Sequence, residues 1–297
     1  MGMESFGVSS QKNERILITG GTKGIGKEIT KEFFNSNSNI AICARKIDED
    51  KKSELQSYKV DLGDRNQAQE FVHDATETLG GLDLVILNAA LSGVEHEGEG
   101  EEIKRERQKD LFKVNQVGQI AIIREAIEML NASKGTLVFI TSGLAKFVEI
   151  KKNIEIDENK KKHIKKESEI NIPENAPDFF KKAILASQDY AIGKARIEEY
   201  LKKTKLKYPE VKILFINPGP TDTDMHKEIR EKGTQEIKAF SNNIKTLRNP
   251  EIIGKIISKI SVTGMIWNPE TKLYEIPAPE VETINISDEN IKFEELN

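Results

Sequence analysis

The sequence predicts an α/β fold: a doubly wound parallel sheet covered by helices on both faces, three layers in all. Three observations predict it. Short apolar runs alternate with longer helix-like segments along the chain. The runs are continuous in Val, Ile and Leu, as strands buried on both faces require, instead of alternating with polar residues. A glycine-rich turn follows the first run and opens the first helical segment, the context that separates a phosphate-binding turn from a chance cluster of glycines.

Taken in order, RILIT (15–19) reads as the first strand and residues 25–35 as the first helix. NIAICA (39–44) is a second strand, with the lone cysteine, Cys43, inside it. YKVDL (58–62) is a further strand, followed by a helical pattern over 65–79. DLVILN (83–88) precedes an interrupted helical stretch over 101–130. TLVFIT (136–141), a helix over 188–205, VKILFIN (211–217) and a helix over 223–241 complete the alternation. Strand then helix, repeated, argues for right-handed crossovers on one sheet. The whole of residues 1–297 is expected to form one domain.

Two stretches break the rhythm. Residues 149–178 are dense in Lys, Glu and Asn, with Pro173 and Pro177, and their charges nearly cancel. The stretch reads as a solvated or partly disordered insertion. Its position between two catalytic candidates leaves a flap over the site, or an oligomer contact, as the other reading. From about residue 268 the tail is irregular, with a strand and hairpin expected around TGMIWNPETKLYEI, turning at Asn268 and Pro269.

Composition narrows the function classes. Hydrophobic residues make up 37% and charged residues 32% of 297, with a formal charge of −4. That balance gives no electrostatic reason to expect nucleic acid or an anionic membrane as partner. One cysteine permits no intrachain disulfide. With a polar N-terminus and no membrane-length apolar run, the expected location is cytoplasmic. His73, His96, His163 and His226 have no metal-ligand spacing, so no metal is expected. Nor does Ser142 have a histidine partner that would signal a hydrolase triad.

The chemistry-bearing residues come in a fixed order. In TGGTKGIG (19–26), Gly20, Gly24 and Gly26 let the backbone turn sharply beside a pyrophosphate. The free N–H groups of Thr22, Lys23 and Ile25, with the helix start behind them, favour an anion there. Asn115 and Ser142 follow, and then Tyr190 and Lys194, one helical turn apart and therefore on one face. A tyrosine beside an ammonium can give a proton to a carbonyl oxygen, because the cation favours the phenolate.

This set resembles the short-chain dehydrogenase/reductase family, whose fold is Rossmann-type. The match runs from about Arg15 to the 260s through the wide glycine spacing, Val60-Asp61-Leu62, Leu87-Asn88-Ala89-Ala90, Val114-Asn115, Thr141-Ser142, Tyr190-x-x-x-Lys194 and Pro218-Gly219-Pro220-Thr221-Asp222-Thr223. The resemblance implies a nicotinamide cofactor held by the glycine turn. Asp61 and Leu62 would lie at the adenine, Asn88 and Ala89 at the adenine ribose, and Pro218, Gly219, Thr221 and Thr223 at the nicotinamide. Tyr190 would be the general acid in reduction and the base in the reverse direction. Lys194 would tune Tyr190 and hold the nicotinamide ribose, Ser142 would bond the substrate oxygen, and Asn115 would hold a water leading to Lys194. The stretch after Asn217 is similar to the sepiapterin- and benzil-reductase branch, which implies a dicarbonyl substrate. A homodimer or homotetramer is implied as well.

Charge selects the cofactor. An NAD site places an acid at the end of the second strand, where this chain has Ala44, Arg45 and Lys46. A guanidinium there suits a 2′-phosphate, with Lys23 as a second cation, so NADPH is expected over NADH. The expected function is NADPH-dependent reduction of a ketone or aldehyde. The same site run backwards, as an alcohol dehydrogenase, and a non-catalytic nucleotide-binding regulator remain as alternatives. The sequence departs from the family at Leu87 and Ala90, and 48 positions separate Ser142 from Tyr190, which the family holds much closer. The charged insertion accounts for the excess, and a long surface loop adds little closure entropy.

Overall fold

A computed structural model describes residues 14–47, 55–156, 162–242, 244, 246–268, 273–275, 283–288 and 290. β1 (Arg15–Thr19), α1 (Gly24–Asn35), β2 (Asn39–Ala44), β3 (Gln56–Lys59), α2 (Arg65–Leu79) and β4 (Leu84–Leu87) follow in order. α3 (Glu101–Phe112), a π-helical turn (Lys113–Gly118) and α4 (Gln119–Ser133) run on without a break to β5 (Thr136–Ile140). Next come a 3₁₀ turn (Ala145–Phe147), β6 (Val148–Ile156), β7 (Lys162–Ile170), α5 (Asp178–Ala186), α6 (Gln188–Lys207) and β8 (Lys212–Asn217). α7 (Asp224–Lys232), α8 (Gln235–Asn242), α9 (Pro250–Thr263), β9 (Ile266–Asn268), β10 (Leu273–Glu275) and β11 (Thr283–Asn285) complete the described elements.

Seven strands form one sheet in the order β11-β8-β5-β4-β1-β2-β3, and every neighbouring pair is parallel. Successive residues point to opposite faces of a strand, and the core divides accordingly. Leu17, Cys43, Val85, Leu87, Phe139 and Phe215 join α2, α4 and α6 on one face. Ile16, Ile18, Ile42, Ile86, Val138 and Ile216 join α1 and α9 on the other. This is the predicted three-layer, Rossmann-type architecture. Strand order reverses between β1 and β4, so a crevice opens at the carboxyl ends of those strands. Among the described residues no helix is long and apolar enough to cross a membrane.

Several boundaries differ from expectation for identifiable reasons. The third strand is Gln56–Lys59 and not 58–62. The Asp61 carboxylate accepts the Gly63 N–H at 2.8 Å and turns the chain away from the sheet. The helix expected over 223–241 is two, α7 and α8, separated at Gly233. The interruption within 101–130 is the π-helical turn. α9 lies outside the expected helices, although Asn249 caps its start and Pro250 occupies its first turn. Gly264 ends it at φ +69°.

The insertion over 149–178 is not structureless. β6 and β7 pair antiparallel from Val148 opposite Ile170 to Ile156 opposite Lys162, while residues 157–161 lie outside the described residues. Lys- and Glu-rich composition hides a period-two pattern, with Val148, Ile150, Ile154 and Ile156 at alternate positions. The hairpin expected in the tail is present. β9 and β10 pair antiparallel, though Pro269 of the expected turn lies outside the described residues, and β11 joins the main sheet beside β8.

Candidate active site

The glycine turn sits where β1 ends. Gly20 and Gly24 have φ of +71° and +52°, a region that disfavours side chains, and Gly20 N–H bonds the Cys43 carbonyl at 2.8 Å. A Cβ on Gly26 would stand 2.2 Å from the Gly20 carbonyl oxygen and 2.3 Å from Asn88 Nδ2. The backbone is thus folded tightly on itself where α1 begins, leaving the N–H groups around Thr22, Lys23, Gly24 and Ile25 at the helix start, with Lys23 as its N-cap. Such a cradle fits a pyrophosphate.

The stretch after β4 is laced to this turn. Thr19 Oγ1 accepts the N–H groups of Asn88 and Ala89 at 3.0 and 3.1 Å. The Asn88 amide donates to the carbonyls of Thr19 and Gly20 at 3.1 and 3.2 Å. Gln119, which sequence reasoning did not single out, donates to the Ala89 carbonyl at 2.7 Å. Asn115, 2% exposed, takes both polar groups of Leu91, N–H at 2.8 Å and carbonyl at 2.9 Å. Asn88 and Asn115 therefore spend their side-chain amides on the backbone here. A π-turn disturbs the regular carbonyl ladder of a helix and often marks a functional site, and Asn115 lies within one.

Across the sheet, Ser142 follows β5, and its hydroxyl accepts the Leu144 N–H at 3.3 Å. Tyr190 and Lys194 lie on α6. Lys194, 3% exposed, donates to the Ile140 carbonyl at 2.7 Å and so ties α6 to the end of β5. Its ammonium is 5.6 Å from the Tyr190 ring centre. Burial pulls Lys194 down to about 8, opposed by Glu198. Burial also pushes Tyr190 up to about 12, although its side chain as a whole is only half-buried. The lowering expected for this tyrosine is therefore not what the surrounding protein produces, because burial disfavours the phenolate.

Arg45 is exposed just past β2. Asp61 is exposed beyond β3, while Leu62, 5% exposed, belongs to the core. The turn after β8 is held from outside. Arg248 donates to the Pro218 carbonyl at 2.8 Å, Gly219 has φ +70°, and Thr221 is 4% exposed. Thr223 caps α7. An open cavity of about 470 Å³ runs between Thr22, Lys23 and Gly24 on one side and Thr223, Asp224 and Arg230 on the other. Lys23 and Asp224 pair across it at 3.7 Å. Among the described residues no cluster of His, Cys, Asp or Glu could hold a metal. Arg248 was missed because its contacts are distant in sequence, and Gln119 because only its place one turn after Asn115 could have marked it.

The family model for short chain dehydrogenases matches residues 14–153, from β1 past Ser142 but short of Tyr190. An uncharacterized oxidoreductase of Mycobacterium tuberculosis is 31% identical over 150 residues, 46% of this chain and 57% of that protein. Hydroxysteroid 11-beta-dehydrogenase 1-like protein B of Xenopus laevis is 33% identical over 95 residues, 29% of this chain and 33% of its own length. The chain spans about half the length of most curated relatives it matches. A solved short chain dehydrogenase/reductase from Saccharomyces cerevisiae superposes with a TM-score of 0.65 at 18% identity, over 94% of this chain and 98% of that one. One from Burkholderia cenocepacia, in complex with NADP, gives 0.62 at 19% identity, over 93% and 96%. At such identities the structural likeness is one of fold. Residues 14–153, the part of the chain similar to short chain dehydrogenases, carry the glycine turn, Asn115 and Ser142.

Proposed function

We propose that the chain is an NADPH-dependent carbonyl reductase built on one Rossmann-type domain. The observation that carries this reading is the tie between α6 and β5. The Lys194 to Ile140 bond holds Tyr190 and Lys194 against the strand end that bears Ser142, in a fold whose glycine turn fits a dinucleotide. A bound nicotinamide supplies the hydride. Tyr190 gives its proton to the substrate oxygen, and Ser142 turns its hydroxyl toward that oxygen to hold it. Lys194, charged below about 8, stabilises the phenolate that Tyr190 leaves behind and binds the cofactor ribose. Asn115 braces the segment after β4 that borders the adenine side.

Arg45, without an acid at the end of β2, supports NADPH over NADH. The NADP in the Burkholderia cenocepacia relative's structure supports the same choice. The stretch after Asn217 makes a dicarbonyl the first substrate to try, and the product alcohol could be oxidised by the same groups in reverse. Pairing of copies through the helices carrying Asn115 and Tyr190, and a cytoplasmic location, complete the proposal.

Fluorescence titration of NADPH and NADH against wild type and Arg45→Ala tests the cofactor, with tight NADPH binding expected to collapse in the variant. Turnover on a carbonyl panel tests the chemistry. Tyr190→Phe should lose about 10²–10⁴-fold in rate while still binding NADPH. Full activity in Tyr190→Phe would remove Tyr190 from the mechanism.

A further inference from the structure

Tyr190, Lys194, Glu198 and Lys202 recur every fourth residue along α6, so they stack on one face of the helix. That face lies over β5 and β8. The Lys194 ammonium is 4.7 Å from the Phe139 ring centre and that of Lys202 is 5.9 Å from Phe215. The two rings meet edge to face at 6.4 Å. An ammonium buried among rings needs a partner for its charge. Lys194 bonds the carbonyl of Ile140. The next residue, Thr141, 3% exposed, donates its hydroxyl to the Glu198 carboxylate. Two adjacent bonds thus join helix to strand end, and the residue after them is Ser142.

We infer that Glu198 is a positioning residue: through Thr141 it fixes the end of β5 that carries Ser142, and its carboxylate is the counter-charge that keeps buried Lys194 an ammonium. The kinetic consequence rests on the proposed reductase reading; the contacts do not. Among the described residues, few groups are recorded against Lys194. α6 contributes Tyr190 and Glu198, and β5 contributes the Phe139 ring, the Ile140 carbonyl and the Thr141 hydroxyl beyond it. The π-turn brings the uncharged Asn115 and Gln116 against α6 at Gly193. Burial lowers Lys194 and Glu198 raises it. Burial raises the Glu198 carboxyl above its ordinary value, and Thr141, Lys202 and Lys194 offset only part of that rise. The charges along the helix alternate, each supporting its neighbour.

The test is a pH titration of the ligand-free full chain by NMR, with lysine labelled with ¹³C at Cε and the Lys194 signal assigned by its absence from Lys194→Met. Glu198→Gln keeps an acceptor for Thr141 and removes the charge. Its Lys194 midpoint should fall by about one unit, as loss of a nearby opposite charge requires. The alkaline limb of NADPH-dependent reduction should move to lower pH by the same amount, and Glu198→Asp should restore most of both. A brace without electrostatic effect would lower the rate equally at every pH, so an unmoved midpoint in Glu198→Gln overturns the inference. Should Glu198→Gln not fold, Thr141→Val, which releases the carboxylate, should show a smaller fall, and an unmoved midpoint there overturns it too. A shifted midpoint in a protein that neither binds NADPH nor turns over a carbonyl supports the role of Glu198 and sinks the reductase reading instead.

Discussion

The turn between β1 and α1 and the stretch between Ser142 and Tyr190 are held in different ways. The turn is set by backbone: Gly26 has no room for a Cβ, and Asn88 and Thr19 spend their polar atoms on main-chain partners. The stretch is set by packing. Phe180 of α5 meets Phe147, just past Ser142, at 5.7 Å and Phe240 of α8 at 5.8 Å. Half-buried rings can shift and repack, whereas a backbone turn in which an added Cβ would lie 2.2 Å from a carbonyl oxygen cannot. A nucleotide common to many reactions suits the first kind of support, and a variable substrate suits the second.

The largest test of that contrast is Gly26→Ala. The added methyl would collide with the Gly20 carbonyl, costing about 1–3 kcal/mol of stability by overpacking and abolishing nucleotide binding. Thermal unfolding and NADPH titration read the two effects, and unchanged affinity would mean the turn is not the cradle. Asn88→Ala comes next. It removes the donor to the Thr19 and Gly20 carbonyls at about 1–3 kcal/mol, and a drop of about tenfold in NADPH affinity should accompany it.

The proposed proton-handling groups should respond to pH instead. Lys194 is an ammonium below about 8 and neutral above it, so carbonyl reduction should fall as pH rises through that value. A rate that climbs from pH 7 to 9 would contradict its charged role. On the packed side, Phe240→Ala should raise KM for a bulky carbonyl severalfold and leave NADPH affinity alone. Equal losses in both would erase the distinction between the two regions. The smallest effect is expected from replacing residues 151–168 by a short turn, since loop length changes closure entropy little. NADPH affinity should stay within about twofold, measured by the same titration.

What the sequence makes legible follows the same division. The glycine turn is written in local backbone chemistry, and continuous Val, Ile and Leu runs mark strands covered on both faces, so the sheet and its crevice could be read in advance. α9 had complete local signals in Asn249, Pro250 and Gly264, but its mate in packing, α1, lies at the other end of the chain. β6 and β7 were masked by Lys and Glu, because composition and periodicity disagree there and periodicity wins when strands pair. β11 has only Thr283–Asn285, too short to announce itself. Tyr190 and Lys194 were legible as a spacing. Glu198 sits at that same spacing, yet its role depends on Thr141, a residue 57 positions away whose nearness only the fold creates.

Arg248 reaches Pro218, 30 positions earlier, and Ile286, 38 positions later, with one and the same nitrogen, at 2.8 and 2.7 Å. Its other terminal nitrogen meets Asp288 at 3.0 Å. The guanidinium works as a tie rod between the turn after β8 and the edge strand β11. Whatever peels that edge strand from the sheet, whether a protease, a neighbouring chain or heat, slackens the rod and is felt at Pro218. The wall of the crevice at that turn is only as steady as the outermost strand of the sheet.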